Sequence, residues 1–202
     1  MKRLSSTKLP RFILASASPR RKEILGGLGL RLCIDPSGEQ EPDRQDGESP
    51  ARYARRLARR KARSVAGRHG TGIVIGADTI VVLQDRILGK PTSRSSARTM
   101  LRRLQGRWHI VTTGVCLHDA CSGRSVSGHS SSRVHFRPMT RAEIEWYLDT
   151  GEYRDKAGAY AIQGHGSLLV DRLEGCYFNV VGFPVVTFLR LCRRLGVDWP
   201  AG

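Results

Sequence analysis

The residues best suited to chemistry in this 202-residue chain are a hydroxyl-and-guanidinium cluster, Ser16-Ala17-Ser18-Pro19-Arg20-Arg21, and a lone acid, Asp78, set inside a long apolar run. The cluster follows Phe12-Ile13-Leu14-Ala15, so it reads as a strand-to-helix corner. Ser18 is expected to cap the helix through its hydroxyl, with Pro19 at the first helical position, where a missing N–H costs nothing. Free backbone N–H groups, the positive helix end and forked guanidiniums would then converge on one spot, which suits phosphate. An ordinary capped surface helix with solvated arginines produces the same pattern.

A carboxylate in the middle of the Gly72 to Leu83 run costs on the order of several kcal/mol to bury unless a cation or donors compensate it. A divalent metal or an inward lysine would do so, and Lys61 and Lys90 are the candidates. Their plain structural counterparts are a buried Asp–Lys ion pair and a turn lysine. Lys61 continues the Tyr53/Leu57 stripe by one helical turn, so it aims inward more than its arginine neighbours do. Lys90 is pinned between Gly89 and Pro91. In the acidic loop, Glu39 or Glu41 could complete a hard-oxygen site with Asp78 for Mg²⁺, an ion that keeps waters and favours substrate phosphates; solvated carboxylates are the alternative. The segment from Asp155 to Gly164 gathers small residues around Tyr160 and Gln163. Small residues let a ligand approach backbone, and the Gln163 amide offers a donor and an acceptor suited to a base edge. A tight turn with a buried Tyr160 is the bland reading.

Other chemistries find no support. Gly89-Lys90 runs into proline without the glycine spacing of a Walker loop, and there is no HExxH, Gly-x-Ser-x-Gly or dinucleotide fingerprint. The histidines lack metal-ligand spacing, and five scattered cysteines without a CxxC pair suggest neither disulfides nor zinc. No stretch is apolar enough to span a bilayer, and Met1-Lys2-Arg3-Leu4-Ser5-Ser6 lacks the apolar segment of a signal peptide. A soluble cytoplasmic protein is expected, with one domain over residues 1–202 and its core near 12–195. The net charge of +16 and a pI near 10.6 imply an anionic partner or a crowded positive surface. Much of the excess lies in Arg52, Arg55, Arg56, Arg59, Arg60 and Arg63, on more than one helix face, and reads as solvated. A nucleic-acid patch would need interleaved aromatics, and only Tyr53 is near.

The elements that must position these groups are readable in outline. Strands are expected at Arg11 to Ala15, Leu30 to Ile34 and Gly72 to Leu83, and helices at Pro19 to Leu28 and from Ser49-Pro50 to Ala66. Asp35 to Glu48 reads as a surface excursion. Gln84-Asp85-Arg86 turns the chain toward Ile87-Leu88. A helix then spans Ser95 to Leu104 with Met100, Leu101 and Leu104 inward, followed by strands at Trp108 to His118 and Ser125 to Phe136. Thr140 and Glu143 form a capping box for a helix to Asp149. Final strands are expected at Ser167 to Leu173 and Cys176 to Val181, before a helix ending near Leu195. The alternation followed by hairpins predicts an α/β fold with a mixed sheet and flanking helices.

Taken together, Leu14 to Arg21, Arg60-Lys61-Ala62, Gly76-Ala77-Asp78-Thr79-Ile80-Val81, Gly89-Lys90-Pro91 and Lys156 to Gly164 resemble the Maf family of nucleoside triphosphate pyrophosphatases, with Val181-Gly182-Phe183-Pro184 as its closing motif. The resemblance covers about Phe12 to Leu195, in the family's order. It implies an elongated inosine-triphosphatase-like α/β fold with a cleft between two lobes, often homodimeric. It also implies hydrolysis of a nucleoside triphosphate to monophosphate and pyrophosphate with a divalent metal, Mg²⁺ or Mn²⁺. Carried onto this chain, Ser16, Arg20 and Arg21 would hold phosphates, Lys61 and Lys90 would neutralise them, and Asp78 would bind the metal or accept a proton from water. Glu41 would be the second carboxylate, with Glu39 the alternative. The stretch from Lys156 to Gly164 resembles the branch preferring dTTP and UTP, in which Arg20 or Arg21, Thr79, Lys156 and Gln163 would contact a pyrimidine nucleotide. Ala161 stands where glycine is usual and Phe183 where leucine is. The family is also linked to septum formation, so a regulatory or nucleic-acid-binding protein without turnover is the rival expectation.

Overall fold

The computed structural model describes residues 10–200. Its framework is a seven-stranded sheet in the order β2-β1-β3-β5-β6-β7, with β4 pairing β3. The strands are β1 (Phe12–Leu14), β2 (Leu32–Ile34), β3 (Ile73–Leu83), β4 (Arg86–Leu88), β5 (Trp108–Asp119), β6 (Ser125–Phe136) and β7 (Val170–Glu174). The helices are α1 (Pro19–Gly27), α2 (Pro50–Ala66), α3 (Arg94–Leu104), α4 (Arg141–Asp149), α5 (Tyr177–Val181) and α6 (Val185–Leu195). β1 runs parallel to β2 and β3, and the remaining pairs are antiparallel, so the sheet is mixed as expected. None of the helices among the described residues is long and apolar enough to cross a membrane.

β3 sorts its side chains by the period of two that strand geometry demands. Ile75 and Ala77 pack with Phe183, Phe188 and Leu191 on one face. Val74 meets Ala58 and Ala62 of α2 on the other, and Ile80 and Val82 meet Tyr53 and Leu57. Gly76 and Asp78 fall on that second face by the same alternation. α2 lies very close to the sheet there: a Cβ on Gly76 would sit 2.1 Å from the Ala58 carbonyl, and one on Gly114 2.3 Å from that of Ala54. Only glycine on the strands opposite alanines on the helix permits this approach, and it brings Lys61 down onto Asp78.

The expected excursion from Asp35 to Glu48 is in fact strapped along α2. Arg56 pairs with Glu48 at 2.8 Å, Arg60 with Glu39 at 2.9 Å, Lys61 with Glu41 at 2.8 Å and Arg68 with Asp35 at 2.6 Å. The Tyr53 hydroxyl donates to the Pro42 carbonyl at 3.0 Å. Part of the arginine excess on α2 is therefore neutralised by the chain's own acidic loop. At the tip of the β3–β4 hairpin, Gln84 and Asp85 both adopt positive φ, 49° and 64°, which matches the right-handed twist of the flanking strands.

The structure corrects local expectations. Ser18 occupies the cap position of α1, but its hydroxyl makes no cap bond; its backbone N–H donates instead to Ser16 Oγ at 3.2 Å. Residues Ser167 to Leu169 belong to a 3-10 turn, Gly164–Leu169, and the strand begins at Val170. The Cys176 to Val181 segment is not a strand at all: it forms α5. The reason is Asn179, which is wholly buried. Its amide donates to the Val111 carbonyl and to Ser132 Oγ, each at 2.9 Å, while its carbonyl accepts the Thr113 N–H at 3.1 Å. A helical turn aims this side chain at β5, and its hydrogen bonds outweigh the β preference of the surrounding apolar residues. The capping box of Thr140 and Glu143 and the inward faces of α2 and α3 are as expected.

Candidate active site

A cleft of about 660 Å³ opens along β3, lined by Asp78 and Ile80 from one face of the strand and Thr79 and Val81 from the other, and Ser16, Arg20, Arg21, Glu41, Lys61, Lys90 and Lys156 line it as well. Gln163 does not; the wall ends one residue earlier, at Ile162. Glu39 also lies outside, on Arg60, so Glu41 is the loop carboxylate that faces Asp78.

The β1–α1 corner is tied down by Arg21. Its Nη1 donates to Ser16 Oγ at 3.0 Å, its Nη2 to Thr79 Oγ1 at 3.1 Å and its Nε to the Gly182 carbonyl at 3.0 Å. One guanidinium thus joins the corner, the central strand and the closing motif. Gly182 has a φ of 119° and ends α5, a backbone state that L side chains rarely adopt. Thr79 Oγ1 also bonds Thr113 Oγ1 at 2.9 Å, which links the cleft to the Asn179 network. Burial lowers the Arg21 pKa, opposed by the charges of Asp78 and Glu41. These contacts use part of the guanidinium's donor fork, and Ser16 Oγ is an acceptor in both of its bonds, so N–H groups of Arg21 and the O–H of Ser16 remain to donate.

Asp78 is 4% exposed, yet it is not uncompensated. Lys61 Nζ donates to Asp78 Oδ1 and, at 2.8 Å, to Glu41 Oε1. Burial pushes the Asp78 carboxyl above the usual range, against the pull of Lys61; the nearby Glu41 charge pushes the same way. Glu41 behaves oppositely: partial burial works against its charge, but the hydrogen bond and charge of Lys61 and the charge of Lys90 hold it low. Two carboxylates with pKa values pushed apart are the arrangement that separates acid from base roles. Lys61 thus supplies the inward lysine expected beside Asp78. Lys90 is exposed at the rim.

The donor set also bears on a metal. Among the described residues there is no group of three or more His, Cys, Asp or Glu side chains suited to an ion. Asp78 and Glu41, meeting at one lysine, supply a pair of hard oxygens, and an ion there would complete its shell from phosphate and water. That fits Mg²⁺ or Mn²⁺ better than zinc.

The remaining wall is built from the small-residue stretch, from Asp155 to Ile162. Tyr160 is buried, its hydroxyl 2.7 Å from His109 Nε2, and burial pushes its pKa up. Burial drives His109 down to about 4, so the imidazole is neutral and the pair is a fixed core contact. Gly158 turns the chain at a φ of 69°, and a Cβ there would crowd Val81 at 3.1 Å, so this stretch lies directly on β3. Arg20 makes no hydrogen bond or ion pair among the described residues. Burial lowers its pKa, and the fields of Tyr147 and Glu152 oppose that shift. Asn179, Thr113, Tyr147 and Glu152 are contributors that sequence reasoning passed over. Asn179, a lone amide between Phe178 and Val180, carried the same signal that marked Asp78.

The family described as Maf-like protein matches residues 11–195. A protein of Desulforamulus reducens named dTTP/UTP pyrophosphatase is 47% identical over 186 residues, covering 92% of this chain and 97% of that protein. One of the same name from Clostridioides difficile is 50% identical over 173 residues, 86% of this chain and 89% of its own. A solved nucleoside-triphosphatase / dITP/XTP pyrophosphatase from Mycobacterium abscessus aligns over 94% of this chain and 99% of its own, with a TM-score of 0.44 and 14% identity.

Proposed function

Because this chain belongs to the Maf family, whose matching relatives are named dTTP/UTP pyrophosphatases, we propose that it hydrolyses nucleoside triphosphates, dTTP and UTP foremost, to the monophosphate and pyrophosphate. The observation that carries this reading is the meeting of Ser16, Arg20, Arg21, Lys61, Lys90 and Lys156 with Asp78 and Glu41 in one cleft. A triphosphate tail brings several negative charges, and the cleft supplies cations and donors without a matching number of acids.

Ser16 and the first turn of α1 receive phosphate oxygens through O–H and backbone N–H groups, which have no helical partners at that position. Arg21 orients Ser16 and Thr79 and adds its unused donors. Lys90 and Lys156 neutralise the tail from the rim, and Lys61 does so from the floor. Asp78 accepts a proton from the attacking water as that water adds at the phosphorus whose bond to pyrophosphate breaks. A divalent ion held by Asp78 and Glu41, Mg²⁺ or Mn²⁺, would polarise the phosphoryl oxygens and stabilise the leaving pyrophosphate. Arg20 or Arg21, Thr79 and Gln163 read the pyrimidine.

The test is pyrophosphate release from a panel of ribo- and deoxynucleoside triphosphates, with Mg²⁺, with Mn²⁺ and with chelator. Turnover of dTTP and UTP, lost with chelator, is the expected result. No release from any triphosphate, alongside DNA binding that weakens steeply with salt, would favour the rival without turnover.

A further inference from the structure

Gln163, assigned to base reading, stands just beyond the cleft wall, and its side chain makes no hydrogen bond among the described residues. An amide that selects a base must nonetheless be held within a fraction of an ångström of its mark. The local backbone shows what holds it. Gln163 leads into the 3-10 turn Gly164–Leu169, and the beginning of that turn is gripped by a single carboxylate.

Glu152 Oε1 accepts the His165 N–H at 3.0 Å and lies 2.7 Å from His165 Nδ1, while Oε2 accepts the Gly166 N–H at 3.1 Å. The fit is close enough to dictate residue type. Gly164 has a φ of 69°, and a Cβ on it would lie 2.5 Å from Glu152 Oε1. On Gly166, a Cβ would lie 2.0 Å from the Ala161 carbonyl, so the turn folds back on the wall it extends. The far side of the His165 ring meets Trp146 of α4 edge-on, with ring centres 5.6 Å apart. Glu152 is itself seated on α4: its N–H donates to Thr150 Oγ1 at 3.2 Å, and that hydroxyl donates to the Tyr147 carbonyl at 2.7 Å. The same carboxylate lies within electrostatic reach of Arg20.

We propose that Glu152 is the positioning residue for base selection: it locks the Gln163-Gly164-His165 turn to α4 and so fixes where the Gln163 amide meets the base. The inference rests on the pyrimidine-nucleotide reading above and adds the group that makes it selective. Glu152 touches neither phosphate nor water in this scheme, so its loss acts on discrimination rather than on the chemical step.

Selectivity is the readout: kcat and KM for dTTP, UTP, dCTP and dGTP, measured for the wild type, Glu152→Ala, Glu152→Gln and Gly164→Ala, with melting curves on each. Glu152→Ala is expected to lower the preference for dTTP over dCTP by about tenfold, the scale of one lost polar contact to substrate. The change should fall on KM for dTTP, with kcat for dCTP within about twofold. Glu152→Gln keeps one acceptor oxygen and should recover part of the preference. Gly164→Ala attacks the contact from the other side and should reproduce the loss. An unchanged dTTP-to-dCTP ratio in Glu152→Ala, or an equal fall on every substrate that follows the melting curve, would overturn the proposal. A wild type inactive on all triphosphates would remove the pyrophosphatase reading and this inference together.

Discussion

The floor and the rim of the cleft carry charge in contrasting ways. On the floor every charged group already has a partner: Arg21 has Ser16, Thr79 and Gly182, and Lys61 has Asp78 and Glu41. At the rim, Lys90 and Arg20 have none among the described residues, and Lys156 reaches only the Arg154 carbonyl at 3.2 Å. Buried charge is costly without compensation, so the floor must be balanced before any ligand arrives. Charge that solvent still reaches, exposed at Lys90 and half-buried at Arg20 and Lys156, is stabilised by water and can wait for an anion. The fold thus preorganises the groups nearest the chemistry and leaves uncommitted those that receive the rest of the substrate.

The largest effect that would test this division is at the floor. Asp78→Asn should reduce pyrophosphate release from dTTP by about 1,000-fold or more, because the amide can neither accept the proton nor hold a divalent ion. The fold should survive with little change in melting temperature. Burial raises the carboxyl's pKa in the folded state, so its ionised form at neutral pH works against stability and a neutral isostere relieves that. Substantial residual turnover would reduce Asp78 to a counter-charge for Lys61.

Arg21→Lys probes whether the floor is structural and catalytic at once. The charge stays, but the fork that spans three elements is lost. A fall in activity of about 100-fold should accompany a loss of about 2–4 kcal/mol in urea unfolding, since buried acceptors on Thr79 and Gly182 lose their donor. Arg20→Lys, one residue away, should leave unfolding within about 0.5 kcal/mol. Equal costs at the two positions would erase the distinction between floor and rim.

How much of this could be read beforehand depends on whether the cause was local. Asp78 was conspicuous because mid-strand burial of a carboxylate has a price whatever the fold, and the α2 stripe of Tyr53, Ala54, Leu57, Ala58 and Ala62 follows from helical period alone. The Ser18 hydroxyl misled because the corner is tied through Ser16 instead, whose Oγ accepts the Ser18 N–H and an Arg21 Nη1 donor, while α1 begins without a side-chain cap. Cys176 to Val181 misled for a longer-range reason: only the finished sheet offers Asn179 the Val111 and Thr113 backbone groups that make a helix worthwhile. The choice between Glu39 and Glu41 likewise turned on which α2 cation each met, and that depends on how the loop lies along the helix. Gln163 was picked for its chemistry, while its place beyond the wall reflects a turn anchored from α4.

The rim supplies the smallest effect and the finest test. Lys90→Gln removes one exposed charge that makes no hydrogen bond or ion pair among the described residues, so unfolding should change by less than about 0.5 kcal/mol. Its loss should raise KM for dTTP by about tenfold while lowering kcat less, the mark of an interaction made with the substrate's charge in ground and transition states alike. Exposed attraction is screened by salt. Raising ionic strength should therefore increase the wild type's KM toward that of Lys90→Gln, and the variant's own KM should respond less. If kcat fell instead and salt made no difference, Lys90 would act on the transition state from within the floor's charge network, and the boundary between the two regions would have to be drawn on its far side.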